Sequence, residues 1–477
     1  MAKIFGFISL CLLTITAYSQ DANYWSSAYG PGGFFVPGAT IAQNGDSGVL
    51  FYNPALLAYN KKNASNISGS VYNYNLLKIT NGAGQGLDLR HQFTNIMPVI
   101  ASNTIYLKLK KPISIAYAIL YTPVFQFNAS QRRDEQVNVL SDSYSPGKEF
   151  YIGQYVHGNT INETSAIFSL GKQVNQKLAI GFTGIFHKRR QSFSHNLTAR
   201  ALINDNSTLF QKLVTVSEYY VANSLTVDLQ LKAGLSYSFN SNNHLGILLT
   251  MPNIHLHGKS DILAEYAINN LRINNTEIFL LGSTRQSKLN SVWKRPLSLG
   301  LGYTHYYSGG EIYFATELFT KVNPYSVIQP RDEAFIRPDT GTIKLFSASE
   351  ISFKDAAKSI FNFSAGFSFP MKNDVKGFVS VRTDFSYAGR ELLQNTNGFS
   401  ASSANYNLYH FQGGANIKKR KFNLRVGALL TYGRNSKHEQ MVNFDSPSES
   451  NLLEGSKQNV SATRFSAGLM LAYVHNF

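Results

Sequence analysis

Gly45-Asp46-Ser47-Gly48 resembles the surroundings of a serine-protease nucleophile. That chemistry needs a histidine base and a buried aspartate set by a specific fold, yet the first histidine in the chain is His91. His255-x-His257 would put two imidazoles on one strand face, but no third metal ligand lies nearby, so a loop or interface pair is expected. His187, His195 and His244 are scattered, and no phosphate-binding loop is present. The one cysteine, Cys11, falls in the N-terminal apolar stretch and leaves the remainder without thiol or disulfide chemistry. No catalytic constellation emerges, and neither a cofactor nor a metal is implied. What remains is chemistry of binding. Phe34, Phe35, Val36, Val49, Leu50, Phe51 and Tyr52 would suit a greasy ligand or would anchor their segment to a wall. Pro54 then removes a backbone donor and drives Asn53 out of the helical region, so Asn53-Pro54-Ala55 breaks the run.

These residues must be positioned by something, and composition narrows what. Of 477 residues, 15% are charged and 13% aromatic, and mean hydropathy is −0.15. Low charge, many aromatics and near-neutral hydropathy fit strands that show one face to lipid and the other to water. Met1 to Ser19 has a Lys3 start, an apolar core over Ile4–Thr16 and a small-x-small Ala17-Tyr18-Ser19, the pattern of a secretory signal. The net charge of +16 is carried by short clusters such as Arg132-Arg133, Lys188-Arg189-Arg190 and Lys418-Lys419-Arg420-Lys421. They accompany no basic helix or stacking motif. Nucleic-acid binding is not expected, and strand ends near anionic lipid headgroups are.

From Asn66 onward the pattern has period two. The clearest run is 224–239, where Leu225, Val227, Leu229, Leu231, Ala233, Leu235, Tyr237 and Phe239 alternate with polar or small residues. Similar runs surround Tyr117, Phe182, Leu301 and Val426. Phe361, Phe363, Ala365, Phe367 and Phe369 form the apolar face of another, and Leu469, Leu471, Tyr473, His475 and Phe477 end the chain on one face. Very short connections (110–112, 173–176, 240–243, 308–310, 370–374 and 418–421) alternate with long polar stretches (126–162, 191–223, 257–295, 321–358 and 435–461). Short turns on one side and long loops on the other are the signature of an outer-membrane barrel. Six short turns join about twelve strands, and a terminal strand at each end makes about fourteen. The expectation is an all-β protein: signal peptide 1–19, an N-terminal plug over 20–63, and a transmembrane antiparallel barrel over 64–477. Alternation turns Lys232, Arg382 and Arg425 inward, where a cation could meet a ligand carboxylate, together with Asp228, Glu317 and Asp384. Inward charges of both signs also suit a network that ties wall to plug.

The small-residue run Gly38-Ala39-Thr40, then Asp46-Ser47 and Tyr52-Asn53-Pro54-Ala55-Leu56, sits ahead of the strands. In this layout the chain resembles the FadL/TodX family of outer-membrane hydrophobic-compound transporters. Echoes follow in Leu231–Tyr237, His244–Ile247 and Arg295–Tyr303. The resemblance implies passive uptake of a hydrophobic small molecule, such as a long-chain fatty acid, with plug movement and lateral release through the wall. It implies Phe34, Phe35, Phe51, Tyr52, Lys232 and Arg382 as ligand-binding candidates and Asn53, Pro54 and Ala55 as the plug motif. Outer-membrane lipid and the barrel insertion machinery are the expected partners of a monomer. Barrels that serve type IX protein secretion share the plug motif, so a non-transporting scaffold is the alternative.

Overall fold

The computed structural model describes residues 23–25, 41–42, 52–95, 99–110, 112–204, 212–273, 276–333, 335–337, 347–372, 374–388, 393, 398–403 and 405–477. Phe34, Phe35, Phe51 and the expected signal peptide lie outside them. The strands in chain order are β1 (Ala64–Thr80), β2 (Leu89–Asn95), β3 (Val99–Leu107), β4 (Ile113–Val137), β5 (Glu149–Gln173), β6 (Leu178–Leu202) and β7 (Leu213–Ser238). Then come β8 (Asn243–Thr250), β9 (Ile254–Ile273), β10 (Thr276–Leu289), β11 (Ser298–Tyr307), β12 (Gly310–Phe319), β13 (Val322–Ile328) and β14 (Ile336–Arg337). The rest are β15 (Phe353–Ala357), β16 (Ile360–Lys372), β17 (Val375–Asp384), β18 (Phe399–Ser400), β19 (Asn407–Lys418), β20 (Phe422–Glu439) and β21 (Asn459–Asn476).

Fourteen antiparallel strands close the wall. Its order is β1, β21, β20, β19, β17, β16, β12, β11, β8, β7, β6, β5, β4, β3 and back to β1. Closure leaves no open edge within the membrane belt, where an open sheet in hydrocarbon could not be tolerated. Tyr117, Phe168, Phe182, Leu301, Phe314, Phe363, Phe411, Leu430 and Leu471 stand exposed on the outer face. With the closed barrel, this apolar belt places the chain in an outer membrane.

A tilted strand needs roughly 9–11 residues to cross a membrane, but β4, β5, β6 and β7 have 25, 25, 25 and 26. The surplus projects beyond the bilayer on the long-loop side. Strand β6 shows where the medium changes. Its outward face reads Ile180, Phe182 and Phe186, then Lys188, Arg190, Ser192 and Ser194. Its inward face reads Ala179, Gly181, Thr183 and Ile185, passes a polar stretch of His187, Arg189 and Gln191, and becomes largely apolar with Phe193, Leu197, Ala199 and Ala201 around His195. Inside the membrane lipid supplies the apolar partner. Outside it the sheet must bury its own apolar face, so the polarity inverts. On β4 a bulge between Pro123 and Phe125 coincides with the same change, leading to buried Phe127 and Ala129.

The projecting walls enclose two apolar clusters. One gathers Phe127, Tyr151, Tyr155, Leu197, Val442 and Phe444. The other gathers Phe193, Tyr220, Trp293, Ile328 and Phe353. A small separate sheet of β13, β15 and β18 lines the second.

The long stretches expected as loops are in large part strand. Much of 126–162, 191–223 and 257–295 is strand, because β4, β5, β6, β7, β9 and β10 continue past the membrane. Lys188, Arg189 and Arg190, expected at a strand end, sit instead in the middle of β6. His255 and His257 do not share a face either. A bulge sets His257 opposite Val227 and His255 opposite Asp228, whose carboxylate lies 3.2 Å from His255 Nδ1.

Candidate functional site

The described N-terminal pieces are seated on bare backbone. Gly171 of β5, Gly181 of β6 and Gly234 of β7 are laterally paired neighbours. Gly246 of β8 is paired with Gly302 of β11. All five lack the side chain that would fill the lumen there. A Cβ at Gly171 would come within 2.7 Å of Leu57 Cβ and 2.8 Å of Ala58 N. At Gly181 it would fall on the backbone of Pro54 and Ala55, at Gly234 on Asn53 Oδ1, and at Gly246 on Ile41 O. Glycine is required here for close approach, not for turn geometry.

Pro54–Tyr59 forms a short 3-10 turn, with Pro54 at its start and Asn53 as its cap. Asn53 is fully buried. Its Oδ1 accepts from Ala55 N at 3.0 Å, the usual capping contact. Its Nδ2 donates to Ile41 O at 2.6 Å and to Leu235 O of β7 at 3.1 Å. The side chain thus caps its own turn while joining a second N-terminal piece to the wall. Leu56 and Leu57 pack with Ile100, Ala116, Leu120, Ile167 and Ile185.

A second attachment uses two inward carboxylates. Trp25 N donates to Asp384 Oδ1 at 2.9 Å, and Trp25 Nε1 donates to Glu317 Oε2 at 2.8 Å. Ser298 Oγ donates to the other Glu317 oxygen at 2.6 Å. The expected inward facing of Asp228, Glu317, Arg382, Asp384 and Arg425 holds, since all five are buried. Glu317 and Asp384 act in the wall-tying network that both charge signs suggested.

Between these attachments lies a cavity of about 120 Å³, bordered by Trp25, Tyr52, Glu163, His187, Lys232 and Arg295 among others. Arg295 Nη2 donates to Glu163 Oε2, and His187 Nδ1 lies 2.8 Å from Glu163 Oε1. Two cations, Lys232 and Arg295, face two carboxylates, Glu163 and Glu317. That balance leaves no surplus positive charge at the cavity for a ligand carboxylate. Arg295 reaches the lumen because residues 290–297 bend inward, held where Asn253 Nδ2 donates to Trp293 O at 2.6 Å and Arg295 N donates to Asn253 Oδ1 at 2.6 Å. The Arg189 guanidinium stacks on the Trp293 ring at 3.7 Å.

Of the ligand-binding candidates, Tyr52 and Lys232 are brought to this cavity. Arg382 is buried on β17 opposite His410 and does not line it. Glu163, His187 and Arg295 were missed as a group. Glu163 and Arg295 lie 132 positions apart, and the only local signal was Arg295 ahead of Pro296.

The wall has one further feature. The upper half of β1 pairs with β2 from Asn73↔Asn95, and the lower half with β3 from Gly69↔Val99, in one continuous register. β4 pairs with β3 only as far as Tyr121↔Val99. Beyond that point, among the described residues, β4 forms its ladder with β5 alone. β2 and β4 instead touch through side chains: His91 Nδ1 lies 3.0 Å from Asn128 O, and Gln131 Nε2 donates to Asp88 O at 2.7 Å.

No family model and no curated protein sequence matches the chain. Solved structures do. A Pseudomonas aeruginosa FadL homologue has a TM-score of 0.55 at 11% identity, covering 97% of this chain and 100% of that one. The Ralstonia pickettii toluene transporter TbuX has 0.53 at 12%, covering 94% and 98%. The Pseudomonas putida toluene transporter TodX has 0.52 at 11%, covering 97% and 99%. The likeness extends over nearly the whole chain and establishes a shared fold.

Proposed function

We propose that this chain is a passive outer-membrane channel for hydrophobic compounds, with lateral release through the wall. The observation that carries the reading is the end of the β3–β4 ladder at Val99↔Tyr121, at the outer margin of the apolar belt where β2 and β4 part, beside a lumen occupied by a seated N-terminal segment. A hydrogen-bonded wall is impermeable, whereas side-chain bridges can part without breaking a ladder. The fold is that of two toluene transporters and a FadL homologue, which supports a hydrophobic cargo. Cavities of about 150 Å³ hold a benzene-sized ligand, so the 120 Å³ space suits a ring more nearly than a long acyl chain. A long-chain fatty acid would require the N-terminal segment, the plug in this reading, to move.

The test is uptake of radiolabelled toluene and of a fluorescent long-chain fatty acid by Gram-negative cells lacking their own hydrophobic-compound channels. The chain should raise the initial rate, and His91→Trp, which fills the β2/β4 contact, should lower it severalfold. Rates equal to those of empty-vector cells, with the barrel folded, would refute the channel. A specific observation favours the alternative of a secretion scaffold: the projecting walls are filled by their own apolar clusters. In that case a partner protein should co-purify from the native membrane while uptake stays at background.

A further inference from the structure

The outer face of the wall carries a block of cations where the apolar belt ends. Residues directly opposite one another on paired strands lie on the same face. Across β5, β6, β7 and β9, one outward row reads Ala166, Phe186, Leu229, Ile254. The next reads Thr164, Lys188, Val227, His257, and the next Asn162, Arg190, Leu225, Lys259. A fourth reads Thr160, Ser192, Asn223, Asp261. Lys188 and Arg190 on β6 thus flank the apolar pair Val227 and Leu225, with His257 and Lys259 on the far side. With strands about 4.8 Å apart and about 6.7 Å between alternate residues, the four basic groups root in a rectangle of roughly 7 by 10 Å.

Three observations set this block apart from ordinary surface charge. All four basic residues are exposed. Among the described residues none of them forms an ion pair, whereas other outer cations do: Lys78 with Asp88 at 2.6 Å and Arg132 with Asp134 at 2.9 Å. Phe186 and Ile254, at 51% and 50% exposure, lie immediately on the membrane side. The nearest carboxylate in these rows, Asp261, is one row farther out and accepts from Lys288 N at 3.3 Å.

We propose that Lys188, Arg190, His257 and Lys259 form a binding site for the phosphate of an outer-leaflet lipid. The acyl chains would lie on Phe186, Leu229 and Ile254 while the headgroup meets the cations. A lipid, and not a soluble anion, is the occupant because the apolar surface is continuous with the charged block. Such a lipid would brace the wall where β9 leaves β8 to build the projecting sheet.

The test uses the full chain folded in detergent and native mass spectrometry with a bisphosphorylated acylated disaccharide lipid as probe. The wild type should retain the lipid. The triple variant Lys188→Gln, Arg190→Gln and Lys259→Gln should bind on the order of 100-fold more weakly, at about fivefold per cation. Lys188→Arg with Lys259→Arg should keep binding and guards against a folding artefact, as does heat-modified gel mobility of each variant. Equal retention by wild type and triple variant would overturn the site. Displacement of the lipid by millimolar inorganic pyrophosphate would overturn the lipid as occupant and leave a soluble-anion site.

Discussion

Replacing Asn53 separates two roles that a sequence cannot tell apart. If the residue only capped the Pro54–Tyr59 turn, Asp and Ser would serve nearly as well, since all three are good caps. In the structure its Oδ1 takes the Ala55 N–H while its Nδ2 faces the carbonyl oxygens of Ile41 and Leu235. Asn53→Ala loses the cap, worth about 1 kcal/mol. It also leaves the Ile41 carbonyl buried without its donor, costing about 1–3 kcal/mol more. The seat should therefore weaken by roughly 2–4 kcal/mol, a factor of about 30 to 1,000 in how often it opens. Asn53→Asp keeps the cap acceptor but turns an oxygen toward two carbonyl oxygens, so it should be at least as damaging as Asn53→Ala. Hydrogen exchange of the Leu56 and Asn60 amides, which donate to Asn53 O at 3.2 Å and to Leu57 O at 3.0 Å, reads the seat directly. Exchange in β20 and β21 should not change. If Asn53→Asp exchanged like the wild type, capping alone would be at work and the bridging argument would fail.

Gly181→Ala should unseat the same segment by about 1–3 kcal/mol through overpacking. Gly184→Ala, three residues along β6, should be neutral because its Cβ would meet only Leu231 Cδ2 at 4.0 Å; the two exchange profiles distinguish them. Trp25→Phe should cost about 1.5–3 kcal/mol by removing a donor to the Glu317 carboxylate, seen as faster proteolysis of the N-terminal segment with the barrel intact. At the outer end of the β1–β2 hairpin, burial would raise the Asp88 carboxyl, but hydrogen bonds from Lys78 and from Asn81 N outweigh it and hold it below the usual range. A depressed folded-state value means that the stabilisation is present above about pH 4 and is lost as pH falls through that lower value. Protection of the turn amides, corrected for intrinsic exchange, should drop between about pH 6 and about pH 3, and Asp88→Asn should abolish the dependence.

The sequence by itself determined the barrel within the membrane. Lipid supplies the apolar partner at every outward position, so each spanning strand carries its whole instruction locally, as Leu225 to Tyr237 does with its strict alternation. The same locality made the inward facing of Asp228, Glu317, Arg382 and Asp384 legible. Beyond the membrane that reasoning fails. Phe193, Leu197 and Ala199 are buried by partners from distant strands and inner segments, and polar Ser192 and Ser194 beside them read as loop. The tertiary structure alone decided the site. The Glu163–Arg295 pair depends on an inward bend at 290–297, and the seat of Asn53 depends on glycines from β5, β6, β7, β8 and β11 falling into register. Neither leaves a local pattern, because each interaction is made between residues whose nearness is set only by closing the barrel.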